Sequence, residues 1–106
     1  MCIDLHYHSV YMARAAVRMT FETVYALYCA DALPVDGRLI FIVGKGRKLL
    51  AEINKQLKTE FDPPIQCHVR SQNLGRLLTN ETDVINWLER RKAKETTVRN
   101  QEQYKA

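Results

Sequence analysis

The sequence predicts an α/β fold, a two-layer α/β sandwich with helices packed on a small mixed sheet. Three observations predict it. Apolar runs of strand length occur at residues 2–6, 38–43 and 65–69. Between the first two pairs of runs, apolar residues recur every three or four positions, the mark of a helix with one buried stripe. The chain has 106 residues, 46% of them hydrophobic, which suits one small core and not two domains. The resulting order is β-α-β-α-β-β-α.

Each element has its own signal. In residues 2–6, Ile3 and Leu5 alternate with Asp4 and His6, so the apolar pair and the polar pair take opposite faces of a strand. Ser9 suits the N-cap of a long helix. Its buried stripe is Ala13, Ala16, Val17, Thr20, Val24, Leu27 and Tyr28, with Arg14, Arg18 and Glu22 falling away from it. That helix should end near Ala30, before Pro34 and the Asp36-Gly37 turn. Residues 38–43 are continuously apolar after Arg38, which predicts a strand covered on both faces. Leu49, Leu50, Ile53 and Leu57 mark a second helix, closed by Asp62-Pro63-Pro64 because proline donates no backbone hydrogen bond and restricts the residue before it. A third strand at 65–69 and a fourth at 74–79 flank a turn around residues 71–73. Asn80 or Thr82 caps a last helix, with Val84, Ile85 and Leu88 inward and Trp87 packed at its edge.

Composition narrows the class. No apolar run approaches the ~20 residues of a membrane helix, so no membrane partner is expected. No signal peptide is read, because the N-terminus opens on a strand-like segment. Cys2, Cys29 and Cys67 are odd in number and lack C-x-x-C spacing. They read as three reduced, partly buried intracellular thiols with no disulfide partner and no structural zinc. The net charge of +4 suits a polyanionic partner. Most of it sits in residues 89–106, where six basic residues face three acidic ones. This tail reads as a frayed helix or a disordered end, and otherwise as an arm that grasps phosphate.

Two short motifs carry the chemistry. Asp4-Leu5-His6 closes the first strand, and Gly44-Lys45-Gly46 joins the second strand to the second helix. An acid and an imidazole facing a basic glycine turn suit a phosphodiester. Each motif also has a plain structural reading. Asp-x-His arises often by chance, and Gly-Lys-Gly is often only a tight turn. The turn lacks the spacing of a Walker loop, so a nucleotide-binding enzyme rests on the turn alone. His6 and His8 share a strand face but have no third ligand at a recognisable spacing, so no metal site is read. His68 reads as structural or surface, and Gly75 as serving a turn or bulge.

Together with the segment Asn73-Leu74-Gly75-Arg76-Leu77-Leu78-Thr79 and, after a spacer, Val84-Ile85-Asn86-Trp87-Leu88, these motifs make the chain resemble the Smr (small MutS-related) domain over residues 2 to about 90. The later segment is similar to the N-I-G-R-F and V-x-x-W-L patterns of Smr domains attached to organellar pentatricopeptide repeat proteins. The resemblance implies a domain at 1–90 with a basic extension at 91–106, and a fold like the C-terminal domain of translation initiation factor three. It implies nucleic-acid binding with endonuclease activity, RNA favoured over DNA. It also implies a mitochondrial or plastid location and a ribosome or organellar expression complex as partner. The sequence departs from the family at Tyr7, where glycine commonly follows D-L-H. It departs again at residues 43–46, where the organellar subgroup commonly has T-G-W-G, and in a missing final strand, of which Thr96-Thr97-Val98 is the β-prone remnant.

On that reading Asp4 and His6 are catalytic. A histidine side chain ordinarily titrates near neutrality and suits base or acid work. Asp4 would orient or ionise that imidazole, act as the base itself, or carry a divalent metal in a variant mechanism. The route through the 2′-hydroxyl requires no cofactor. Gly44, Lys45, Gly46, Arg47 and Lys48 would hold the phosphate, through close backbone approach, the start of the helix and mobile positive charge. Arg76 is a further contact. Both motifs fall at the carboxyl ends of strands, where ligands of open α/β sheets bind; that the two strands are neighbours is implied by the resemblance. The alternative is a non-catalytic module that docks RNA with the same basic face.

Overall fold

The computed structural model describes the backbone of residues 1–32, 38–44, 47–70 and 73–105, and their side chains except at 70, 73, 74 and 99–105. Seven elements follow in the expected order: β1 (Cys2–Asp4), α1 (Val10–Cys29), β2 (Ile40–Ile42), α2 (Arg47–Thr59), β3 (Cys67–Arg70), β4 (Asn73–Thr79) and α3 (Glu81–Lys105). The sheet runs β1-β2-β4-β3. β1 and β2 are parallel neighbours, and β4 is antiparallel to both β2 and β3. Parallel neighbours need a crossover, which α1 supplies. No described helix is long and apolar enough to cross a membrane.

The helices cover one face of the sheet. Ile3, Leu5, Phe41, Val43 and Leu77 pack with side chains of all three helices in one cluster. Phe21 sits at its centre, with ring centroids 6.5 Å from Phe41, 4.5 Å from Phe61 and 5.3 Å from Trp87. The buried residues of α1 are Ala13, Val17, Phe21, Val24 and Tyr25. The expected stripe therefore missed Phe21 and Tyr25 and included Leu27 and Thr20, which are only half-buried. α1 touches α2 along one flank and α3 along the other, so its buried arc is wider than a single three–four row. Trp87, expected to pack at the edge of the last helix, belongs to the core cluster.

Caps set the helix ends. Ser9 Oγ accepts from Met12 N–H at 3.2 Å. Asn80, rather than Thr82, caps α3 by accepting from Asp83 N–H at 3.1 Å. α2 ends at Thr59, before the proline pair. The next residue, Glu60, accepts from Arg14 at 2.5 Å and from Arg18 at 2.8 and 3.1 Å. These arginines lock α1 to α2, and together they hold the Glu60 carboxyl down to about 2, with Arg18 the larger cause.

α3 continues unbroken past residue 90. Arg91 donates to both carboxylate oxygens of Glu22, at 2.7 and 2.8 Å, and lies 4.1 Å over the Tyr25 ring. Thr96 and Thr97 are helical and return their hydroxyls to the carbonyls of Lys92 and Ala93. The β-prone remnant is thus absorbed into the helix.

The other face of the sheet is open. Ile40 and Ile42 are half-buried there rather than covered on both sides as the apolar run suggested. Leu78, the register partner of Ile40, is buried but lies outside the helix-side cluster. The three cysteines are free; Cys2 and Cys29 are exposed, and burial pushes the Cys67 thiol up to about 12.

Candidate functional site

β1 positions the acid. Ile3 and Leu5 turn inward, so Asp4 and His6 project to the opposite side, as their alternation predicts. The strand itself stops at Asp4. Leu5 still donates to Ile42 O at 2.8 Å, and its own carbonyl accepts from His8 N–H at 3.1 Å, which closes a four-residue turn. Within that turn Asp4 Oδ1 accepts from His6 N–H at 3.1 Å and also bonds His6 Nδ1. The His6 hydrogen bond holds the Asp4 carboxyl below its ordinary value. An ionised carboxylate only accepts, so Nδ1 carries the proton of that bond. The two side chains are 52% and 40% exposed, which leaves Nε2 within reach of a ligand from solvent.

β2 brings the second motif alongside. Asp4 pairs in register with Ile42, so the carboxyl ends of β1 and β2 are adjacent. Gly44 has φ +77°, a left-handed conformation that favours glycine. A Cβ placed on Gly44 would lie 3.5 Å from His6 Cβ. Gly44 and the acid–imidazole pair, about 40 residues apart in sequence, therefore abut.

The Gly44 N–H is directed at Gly75 O, 3.3 Å away, beside the 2.8 Å bond from Val43 N–H to the same carbonyl. That amide is engaged within the sheet, and Gly44 stands by its close approach to His6. Two successive amides on one carbonyl, with the β3–β4 register slipping between Val69 and Arg70, give Gly75 the bulge setting its sequence context suggested. Lys45 and Gly46 lie outside the described residues. Arg47 and Lys48 open α2 and are exposed, and no acidic residue occupies its first turn.

Arg76 pairs with Ile42, which in turn pairs with Asp4. The two charged residues thus share a face two strands apart, about 10 Å at ordinary strand spacing. His8 turns its Nδ1 toward His6 O at 3.4 Å. Among the described residues, no three His, Cys, Asp or Glu side chains converge as a metal site would require. A cavity of about 300 Å³ lies at the far end of the open face, lined by His68, Leu78, Asn80 and Glu81 among others, and holds none of the candidate residues.

The sequence marked Tyr7 only as a departure from a glycine. In the structure it stands at the rim of the site, 96% exposed, with φ +68° and its ring centroid 4.2 Å from that of His6. No family model, curated protein or solved structure matches this chain.

Proposed function

We propose that this chain is a nucleic-acid-binding domain of the Smr kind that cleaves RNA at Asp4 and His6. The observation that carries the reading is the abutment of Gly44 on His6, beside a carboxylate already bonded to the imidazole. In this reading His6 Nε2 takes the proton of a 2′-hydroxyl as its oxygen bonds to phosphorus. Asp4 stabilises the imidazolium that forms, as a buried or fixed carboxylate does for a neighbouring cation. The imidazolium then protonates the departing 5′-oxygen as the phosphorus–oxygen bond breaks. The products are a 2′,3′-cyclic phosphate and a free 5′-hydroxyl, and His6 returns to its neutral form. Arg47, Lys48 and Arg76 supply positive charge to the phosphorane. Lys45 would add to it on the family pattern. A metal-dependent variant would use Asp4 as the protein carboxylate and draw its remaining ligands from phosphate oxygens and water.

The assay is incubation of the domain with end-labelled RNA, with and without EDTA, beside an all-deoxy copy. EDTA-resistant cleavage that leaves a cyclic phosphate and spares the deoxy strand supports the reading. Salt-sensitive binding with no cleavage of any strand would refute the catalytic role and leave a docking module, held in a ribosome or organellar expression complex. Neither binding nor cleavage would refute both.

A further inference from the structure

We infer that Tyr7 is a stacking platform for one unpaired base of a single-stranded RNA, seated next to the nucleotide whose phosphate meets His6. The inference rests on the reading of Asp4 and His6 as an RNA site and specifies what that site selects.

Tyr7 does nothing for the fold that a smaller residue would not do. Its side chain is 96% exposed, so it buries almost no apolar surface. Its φ of +68° is a left-handed conformation that a bulky residue adopts only under constraint. Strain of this kind is retained where the neighbouring structure over-determines it. Here Leu5 is fully buried on one side, the Leu5–His8 hydrogen bond closes the turn, and Ser9 caps α1 on the other. The ring is thus held out on a stiff mount. Its only described aromatic neighbour is the His6 imidazole, at 4.2 Å between centroids and tilted by 48°. Tyr11, in the first turn of α1, is 87% exposed, and Met12 is 60% exposed. Residues 7–11 therefore carry two solvent-facing phenol rings, and the first of them, Tyr7, lies beside the candidate chemistry.

The occupant follows from what adjoins the ring. A peptide or a second copy of the chain would suit an apolar patch alone. This one borders the Asp4–His6 pair and Gly44, and Arg47 and Lys48, three and four positions after Gly44 in sequence, are exposed. A polyanion with flat apolar groups on alternate sides satisfies both characters at once. Base–aromatic stacking tolerates any sequence, since every base has a π-face, and it requires an unpaired base. The site should then prefer single strands over duplexes, and large purine faces over pyrimidines at the stacked position.

The test uses a 2′-O-methyl RNA oligomer, which binds without being cleaved, carrying 2-aminopurine at successive positions. Binding is read by anisotropy and stacking by quenching of the 2-aminopurine. Tyr7→Ala should weaken the single strand by roughly 5- to 150-fold and abolish quenching at one position. Tyr7→Trp should retain both. Tyr7→Gly should raise the melting temperature by relieving the left-handed strain while binding no better than Tyr7→Ala, which separates the ring's role from any role in folding. Affinity unchanged in Tyr7→Ala would overturn the inference and leave the RNA reading intact. A duplex weakened as much as the single strand would also overturn it. No binding by the unsubstituted protein would overturn the inference together with the reading beneath it.

Discussion

On the helix-covered face of the sheet, Phe41 is fully buried against Phe21, and the residues around it belong to one cluster drawn from every layer. On the open face, one residue further along the same strand, Ile42 is only half-buried between Asp4 and Arg76. The first surface is held by area removed from water. The second carries a hydrogen-bonded acid–imidazole pair and two left-handed turn residues, Tyr7 and Gly44. Stability and the candidate chemistry therefore occupy opposite sides of one thin sheet. A substitution can be aimed at either without passing through the other.

The largest effect should come from the covered face. Phe41→Ala leaves a void beneath α1 and should cost roughly 3–5 kcal/mol, read as a lowered urea midpoint by Trp87 fluorescence. An unchanged midpoint would mean that this face is not the core. Next is a change with the opposite signature. His6→Ala should cut RNA cleavage by roughly 100- to 10,000-fold while the midpoint moves by no more than ~0.5 kcal/mol. If His6→Ala unfolds the domain instead, the division between the faces fails.

Gly44→Ala sharpens the comparison because it strains the boundary. The added Cβ would make ordinary contact with His6 Cβ, so its cost comes from the left-handed φ, about 1–2 kcal/mol. Cleavage should fall as well, since the strain displaces the turn against His6. The smallest effect concerns Glu60, far from the site on the helix side. Its carboxyl is lowered from 4.5 to about 2 in the folded chain by Arg18 and Arg14. The stabilisation is therefore complete above about pH 4.5 and is lost as pH falls toward 2. Because the arginines are partly exposed and screened, Glu60→Gln should cost no more than ~1 kcal/mol at pH 7. Its melting curve should converge with the unsubstituted one near pH 2, and a constant gap across that range would contradict the assignment.

The covered face was the more legible in the sequence. Period-two and period-three-to-four patterns are consequences of burial, so Ile3, Leu5, Ile53 and Leu57 could be assigned inward directly. The failures on that face have a geometric cause. Phe21 and Tyr25 belong to an arc widened by contact with two helices, which a single stripe does not describe. The open face was legible only as motifs. The alternation around Leu5 put Asp4 and His6 on one side, but their hydrogen bond depends on the turn that follows, and no periodicity encodes it. The engagement of the Gly44 amide by Gly75 was invisible because it joins residues 31 positions apart across β2 and β4. Tyr7 was read as a missing glycine, because sequence alone gives neither its φ nor its exposure.

The central claim is that one RNA strand meets Asp4, His6 and the turn at Gly44 together. Titration of isotopically labelled protein with 2′-O-methyl RNA, followed by NMR, tests it most directly. The account predicts that the His6 ring, the Gly44 amide and the Arg76 guanidinium shift along one binding curve, while the Trp87 indole in the core stays in place. Shifts confined to α3 or to the His68 end of the sheet, with His6 and Gly44 unmoved, would contradict it.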